Sequence, residues 1–210
     1  MKTIKVKIYN APVNRPAAAI ILAAGNSARM GCPKAHLPYG NGNTFAQQIT
    51  RGFLAFGCNP VIMVIQDGAD FTGLQTENLV PVINREVEKG RSHSIHLGLQ
   101  SLPEGACCFI HNIDKTCPPA GLLEQMTKAL PAEGYVVPVY EGRGGHPLLL
   151  GWRMAKLLQE QADTGDFRLA ISGFKRVEVP WCDGQILWNI NTPEEYQRFL
   201  ISSRETDHQS

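Results

Sequence analysis

An excess of charge of either sign is missing from this 210-residue sequence, in which 20 Lys and Arg face 19 Asp and Glu. Such a balance removes the long-range field that draws a protein to nucleic acid or to an anionic membrane, so any anion site has to be a local cluster of donors. Metal-binding cysteine spacing is missing as well. The six cysteines, Cys32, Cys58, Cys107, Cys108, Cys117 and Cys182, include no C-x-x-C pair, and no histidines complete a zinc pattern. Adjacent Cys107 and Cys108 lie in an apolar, strand-like run, which reads as reduced, buried thiols rather than as a disulfide framework. No stretch approaches the ~20 apolar residues of a membrane span. The start, MKTIKVKIYN, alternates charged and apolar residues and lacks the continuous apolar segment of a signal peptide. A cytoplasmic protein is expected, with neither nucleic acid nor membrane as its partner.

What is present is a 43% hydrophobic chain able to bury a sizeable core, in which apolar runs alternate with helix-period stretches. Strands are expected at 17–24, 61–65, 80–83, 106–110, 135–140, 147–150, 177–180 and 186–190. Helices are expected at 44–56 with Thr44 as N-cap, and at 92–102, 119–130 and 152–161. A last helix opens at Thr192-Pro193-Glu194-Glu195, with a capping box between Thr192 and Glu195, and ends near Ile201. Domain boundaries follow: an extension over 1–16, one domain over 17–201, and a polar, frayed tail over 202–210. This alternation implies an α/β fold, Rossmann-like, with a mainly parallel central sheet between two helical layers. On such sheets ligands bind beyond the carboxyl ends of the strands.

The first strand leaves into Leu22-Ala23-Ala24-Gly25-Asn26-Ser27-Ala28-Arg29-Met30-Gly31-Cys32-Pro33-Lys34. Glycines and small side chains let a backbone approach phosphate oxygens closely, and Arg29 and Lys34 add two fixed cations. Neither the Walker spacing G-x-x-x-x-G-K-[ST] nor the dinucleotide fingerprint G-x-G-x-x-G is present. His93 and His96, three apart with no third ligand evident, point to packing or a substrate hydrogen bond rather than a metal pair. His111 lies at a strand end near the expected site.

The segment LAAGNSARMGCPK resembles the signature of the nucleotidyltransferases related to the molybdenum-cofactor guanylyl- and cytidylyltransferases. GRSHSIHLGL (Gly90–Leu99), Gly145-His146-Pro147 and LWNINTPEEY (Leu187–Tyr196) resemble three further motifs of that family in the same order, so the likeness spans about residues 17 to 200. It implies a nucleotide-diphospho-sugar-transferase-like fold and a Mg²⁺-dependent transfer from an NTP to a phosphate-bearing acceptor, with release of pyrophosphate. It further implies that Leu22, Ala23, Ala24, Gly25, Ser27, Arg29, Lys34, Gly90, Arg91 and Ser92 bind the nucleotide, with Arg29, Lys34 and Asp114 catalytic. Arg143, Gly145 and His146 would meet the acceptor, and Mg²⁺ would sit on Asp114 with Asn189 or Asn191, which are two apart on an expected strand and so share a face.

The chain departs from the family pattern in two places. Asn189 and Asn191 stand where aspartates are frequent, and Asp114 is followed by Lys115-Thr116-Cys117-Pro118 rather than by x-Pro. The opening L-A-A-G and the P-K pair resemble the cytidylyltransferase branch and favour CTP, while N-I-N-T-P leans toward the guanylyltransferases and GTP. The implied acceptor is molybdopterin, and a molybdoenzyme would receive the product. A sugar- or alcohol-phosphate cytidylyltransferase and a non-catalytic nucleotide- or cofactor-binding protein are the alternatives.

Overall fold

A computed structural model describes residues 17–25, 30–40, 42–71, 73–74, 76–161, 163 and 165–207, with side chains to Ser203. Expectations for the extension over 1–16, for Ser27 and Arg29, and for 208–210 lie outside the described residues.

Strand β1 (Ala17–Leu22) is six apolar residues, buried along nearly all its length, which suits a central strand covered on both faces. A single turn of 3₁₀ helix at Lys34–His36 precedes α1 (Phe45–Ala55), whose first turn is closed by a full capping box between Thr44 and Gln47. Then come β2 (Val61–Gln66), β3 (Leu79–Asn84), α2 (Gly90–Gln100), β4 (Cys107–Asn112) and α3 (Ala120–Lys128). The second half holds β5 (Gly134–Tyr140), the two-residue β6 (Arg143–Gly144), β7 (Leu148–Leu150), α4 (Trp152–Glu160), α5 (Phe167–Ile171), β8 (Lys175–Pro180) and α6 (Pro193–Asp207).

The sheet runs β3-β2-β1-β4-β7-β5-β6, with β8 paired to β5. Strands β3, β2, β1 and β4 are mutually parallel, β7 is antiparallel to both β4 and β5, and β8 is parallel to β5. Period-two alternation along β1 sorts the core into two. Ala19 and Ile21 pack with Phe45, Ile49 and Phe53 of α1, Leu122 and Met126 of α3, and Phe199 of α6. Ala18, Ile20 and Leu22 pack with Ile95 and Leu99 of α2, Met154 and Leu158 of α4, and Ile171 of α5. The result is the expected three-layer α/β/α architecture. Helix α2 lies close on the sheet, because a Cβ at Gly98 would come within 2.6 Å of Ile20 Cγ2.

Two expectations are corrected. Residues 186–190 form no strand: a 3₁₀ turn over Gly184–Leu187 leads into an extended segment with no ladder partner, tied to the sheet by Ile190 N–H donating to the Asp114 carbonyl at 2.8 Å. Helix α6 does not stop near Ile201 but runs to Asp207. Helix α5 was not anticipated. Its five residues are too few to show a period, and Asp166 starts it by accepting from the N–H groups of Arg168 and Leu169.

Candidate active site

Parallel pairing puts the ends of β1 and β4 side by side, with Leu22 opposite Asn112 and Ile113 N–H donating to the Leu22 carbonyl at 3.1 Å. The loop after β1 and the turn at 113–116 therefore share one edge of the sheet. Asp114 stands in that turn. Lys34 reaches it from the other loop, its Nζ 4.0 Å from Asp114 Oδ2 and 2.5 Å from Asn191 Oδ1. The segment that follows Lys34 is held by aromatic packing: Tyr39 contacts Phe45 and Phe199 edge-on, and Tyr196 donates its hydroxyl to the Pro38 carbonyl at 2.8 Å. The Tyr39 hydroxyl also accepts from Cys117 N–H at 2.8 Å, joining the two loops directly. Thr192 and Glu195 form the expected capping box, and Glu195 also accepts from Asn191 N–H at 2.7 Å, which fixes the Asn191 backbone beside Lys34.

Lys115 provides the second cation of this edge. It is 6% exposed, and its Nζ donates to Asn189 Oδ1 at 2.5 Å. Burial lowers its pKa, and the neighbouring Asp114 carboxylate acts in the opposite sense. Arg91, in the first turn of α2, faces the same carboxylate: desolvation lowers its pKa and Asp114 raises it. Among the described residues, Asp114 Oδ1 is buried with no hydrogen-bond partner. A carboxylate oxygen left open among cations, beside a place for phosphates, suits a divalent ion, which takes oxygen ligands and keeps some of its waters. The two asparagine oxygens expected beside it each accept from a lysine ammonium.

Between the loop after β1 and the end of β2 lies a cavity of about 780 Å³, lined among others by Gly25, Gly31, Lys34, Gln66, Asp70 and Phe71. A Cβ on Gly25 or Gly31 would meet no described atom within 4 Å, so both glycines border open space. Sequence reasoning missed Gln66, Asp70 and Phe71. They lie at or just beyond the carboxyl end of β2, where the strand-end rule alone could have found them.

The remaining expected residues are distributed as follows. Gly90 and Arg91 open α2, but the Ser92 hydroxyl accepts from Phe167 N–H at 3.1 Å and so caps α5. His93 is engaged by Asp163, with Nδ1 and Oδ2 2.6 Å apart, a contact that braces α2. Arg143 is exposed on β6. Gly145 sits against the 184–187 turn, where a Cβ would come 2.7 Å from the Ile186 carbonyl oxygen, and His146 N–H donates to that same oxygen at 3.1 Å. The His146 ring lies 6.3 Å from that of His111, edge to face. Burial holds both imidazoles neutral, pulling His111 to about 3 and His146 to about 2, and Lys115 adds to the effect on each. The Gly145–His146 loop therefore borders the same cationic edge.

No helix among the described residues is long and apolar enough to cross a membrane. The profile of the MobA-like NTP transferase domain matches residues 19–176. A probable molybdenum cofactor guanylyltransferase of Mycobacterium tuberculosis is 26% identical over 190 residues, covering 87% of this chain and 92% of that protein. Among solved structures, a nucleotidyl transferase from Methanothermobacter superposes with a TM-score of 0.76 at 20% identity, covering 92% of this chain and all of the other. A manganese complex of Rv0371c from Mycobacterium tuberculosis superposes with a TM-score of 0.73 at 20% identity, covering 89% and 98% of the two chains. These likenesses, with the shared edge of β1 and β4, make the chain a nucleotidyltransferase that belongs to the MobA-like NTP transferase domain family.

Proposed function

We propose that the protein is a molybdenum-cofactor guanylyltransferase, joining GTP to the phosphate of molybdopterin and releasing pyrophosphate. The observation that carries the reading is the meeting of Lys34 with Asp114, 4.0 Å apart at the ends of β1 and β4, where Asp114 keeps one oxygen buried and open. The cavity lined by Gln66, Asp70 and Phe71 is where the nucleoside would lie, with the triphosphate directed along Gly25 and Gly31 toward Lys34. GTP is favoured because the curated relatives bear the guanylyltransferase name and because a carboxylate such as Asp70 can accept from the donor edge of guanine.

In the reaction an acceptor phosphate oxygen bonds to the α-phosphorus, while the bond from that phosphorus to the bridging oxygen of the β-phosphate breaks and its electron pair leaves with pyrophosphate. The attacking phosphate is ionised at neutral pH, so no general base is required, and His111 and His146 are assigned no proton transfer. The protein's work is then positioning and charge stabilisation. Lys34 holds triphosphate charge, Arg29 adds a second cation from the same loop, and backbone N–H groups around Gly25 can point at phosphate oxygens. Gly90 and Arg91 offer the amino end of α2 to an anion, and Arg143 with the Gly145–His146 loop meets the acceptor. A divalent ion, Mg²⁺ as first choice, supplies neutralising charge to the phosphates when held on Asp114. The manganese in the related structure favours a divalent ion of this type.

A second reading, cytidylyl transfer, rests on Ala24, which gives the loop its L-A-A-G opening. The test is pyrophosphate release from purified protein with molybdopterin and GTP or CTP, each with and without Mg²⁺. Release with GTP and Mg²⁺ alone is expected. Release with CTP alone transfers the assignment to the second reading, and release with neither nucleotide removes both.

A further inference from the structure

Lys115 and Asp114 are adjacent in sequence and opposite in charge, yet they do not pair. The Lys115 ammonium donates to the neutral Asn189 amide at 2.5 Å, and no salt bridge is formed by Lys115 among the described residues. One Asp114 oxygen is buried without a donor. Burying an ammonium costs several kcal/mol unless a counter-charge offsets it, and Lys115 is 6% exposed. A buried ammonium with no ion pair, beside a carboxylate oxygen with no donor among the described residues, is the arrangement that a metal–phosphate ligand would complete from both sides.

We propose that Lys115 is a built-in cation of the site, its ammonium held on the Asn189 oxygen in the place from which a second protein oxygen would otherwise join Asp114 around a divalent ion. The proposal rests on the nucleotidyl-transfer reading for what the site binds. Two consequences follow from charge alone. The ion is confined to Asp114 and held weakly before the nucleotide arrives, since like charges a few ångströms apart repel and Asn189 is already engaged. Once phosphates arrive, the ammonium shares their charge with the ion.

The test is Mn²⁺ binding to the full-length protein without nucleotide, followed by electron paramagnetic resonance. Lys115→Met is expected to bind Mn²⁺ about tenfold more tightly than wild type, the lower end of what neighbours of metal ligands usually contribute. Lys115→Arg, which keeps the cation, is expected to stay at the wild-type affinity. In the double variant Lys115→Met, Asn189→Ala the gain should shrink, because the freed oxygen is gone while the relief of charge repulsion remains. Should Lys115→Met fail to fold, as judged by its thermal transition, Lys115→Leu makes the same comparison, likewise without charge or donor for Asn189. An unchanged or weaker Mn²⁺ affinity in the folded neutral variant overturns the proposal, and a gain undiminished in the double variant overturns the part given to Asn189. Because binding is read without nucleotide, a wild-type protein that releases no pyrophosphate would sink the proposed function and leave this comparison to stand or fall on its own.

Discussion

Lys34 and Asp114 carry opposite charges on loops far apart in sequence, and each is oriented by contacts unrelated to chemistry. Lys34 opens a 3₁₀ turn a few residues before Tyr39, whose ring packs on Phe45 and Phe199, while the Asp114 carbonyl is anchored by Ile190 N–H. Lys34→Ala and Asp114→Asn are therefore expected to leave the thermal transition nearly unchanged while lowering pyrophosphate release by at least about 10²-fold, the usual scale for one preorganised charge-stabilising group. Near-wild-type turnover in either variant would remove that residue from the mechanism. The buried histidines give a separate expectation. An unfolded histidine titrates near 6.5, whereas burial pulls His111 to about 3 in the fold. Between those values the unfolded chain binds the extra proton, so stability falls as pH drops below about 6.5, by up to about 1.4 kcal/mol per pH unit for each such group. Urea midpoints from pH 7 to pH 4 should show that slope, and His111→Asn should about halve it, leaving the His146 contribution. An identical slope in the variant would assign acid sensitivity elsewhere.

Helix ends and close approaches do at the scale of elements what side chains do at the site. The capping boxes of α1 and α6 use the same chemistry, yet only the second touches the site, because Glu195 also holds Asn191 N–H. Thr44→Ala should cost about 1 kcal/mol of stability with turnover unaffected. Glu195→Ala should cost a similar amount and also lower turnover, since it releases the backbone that carries the Lys34 partner. Equal turnover in the two variants would show that α6 is merely packed beside the site. At Gly145 no side chain fits against Ile186, so Gly145→Ala should push the loop bearing His146 away from the 184–187 turn. KM for molybdopterin should then rise several-fold while that for the nucleotide holds steady. A nucleotide KM that moved as far as the acceptor KM would place this loop against both substrates.

At the scale of the whole molecule, one sheet covered on both faces couples stability to function loosely. Phe109 lies fully buried between α1 and the sheet, in edge and tilted contact with Phe53 and Phe56. Phe109→Ala should cost about 3–5 kcal/mol, which for a chain of this size lowers the melting temperature by roughly 6–20 °C. The surviving folded fraction should still bind nucleotide, because the cavity lies at the strand ends. Calorimetry with and without GTP and Mg²⁺ separates the two effects: a variant that loses GTP stabilisation along with its core would mean that core and site form one cooperative unit.

Much of this was legible in the chain itself. Buried parallel strands declare themselves as short apolar runs, and the strand-end rule then directs attention to Gly25 and Lys34, whereas Asp114 is marked by the family resemblance. The capping residues Thr44 and Thr192 were equally plain, because a cap is written within four consecutive residues. Residues 186–190 look like a strand, yet a strand needs a neighbour to pair with, and the sheet offers them none. The five residues of α5 are too short for periodicity to reveal. Above all, the choice of which oxygen each ammonium would face belonged to the tertiary structure. Lys34 meets Asn191 across 157 positions and Lys115 meets Asn189 across 74. Charge and donor count are properties of a residue, but pairing is a property of distance, and only the order of the strands and the packing of α6 bring those groups within reach.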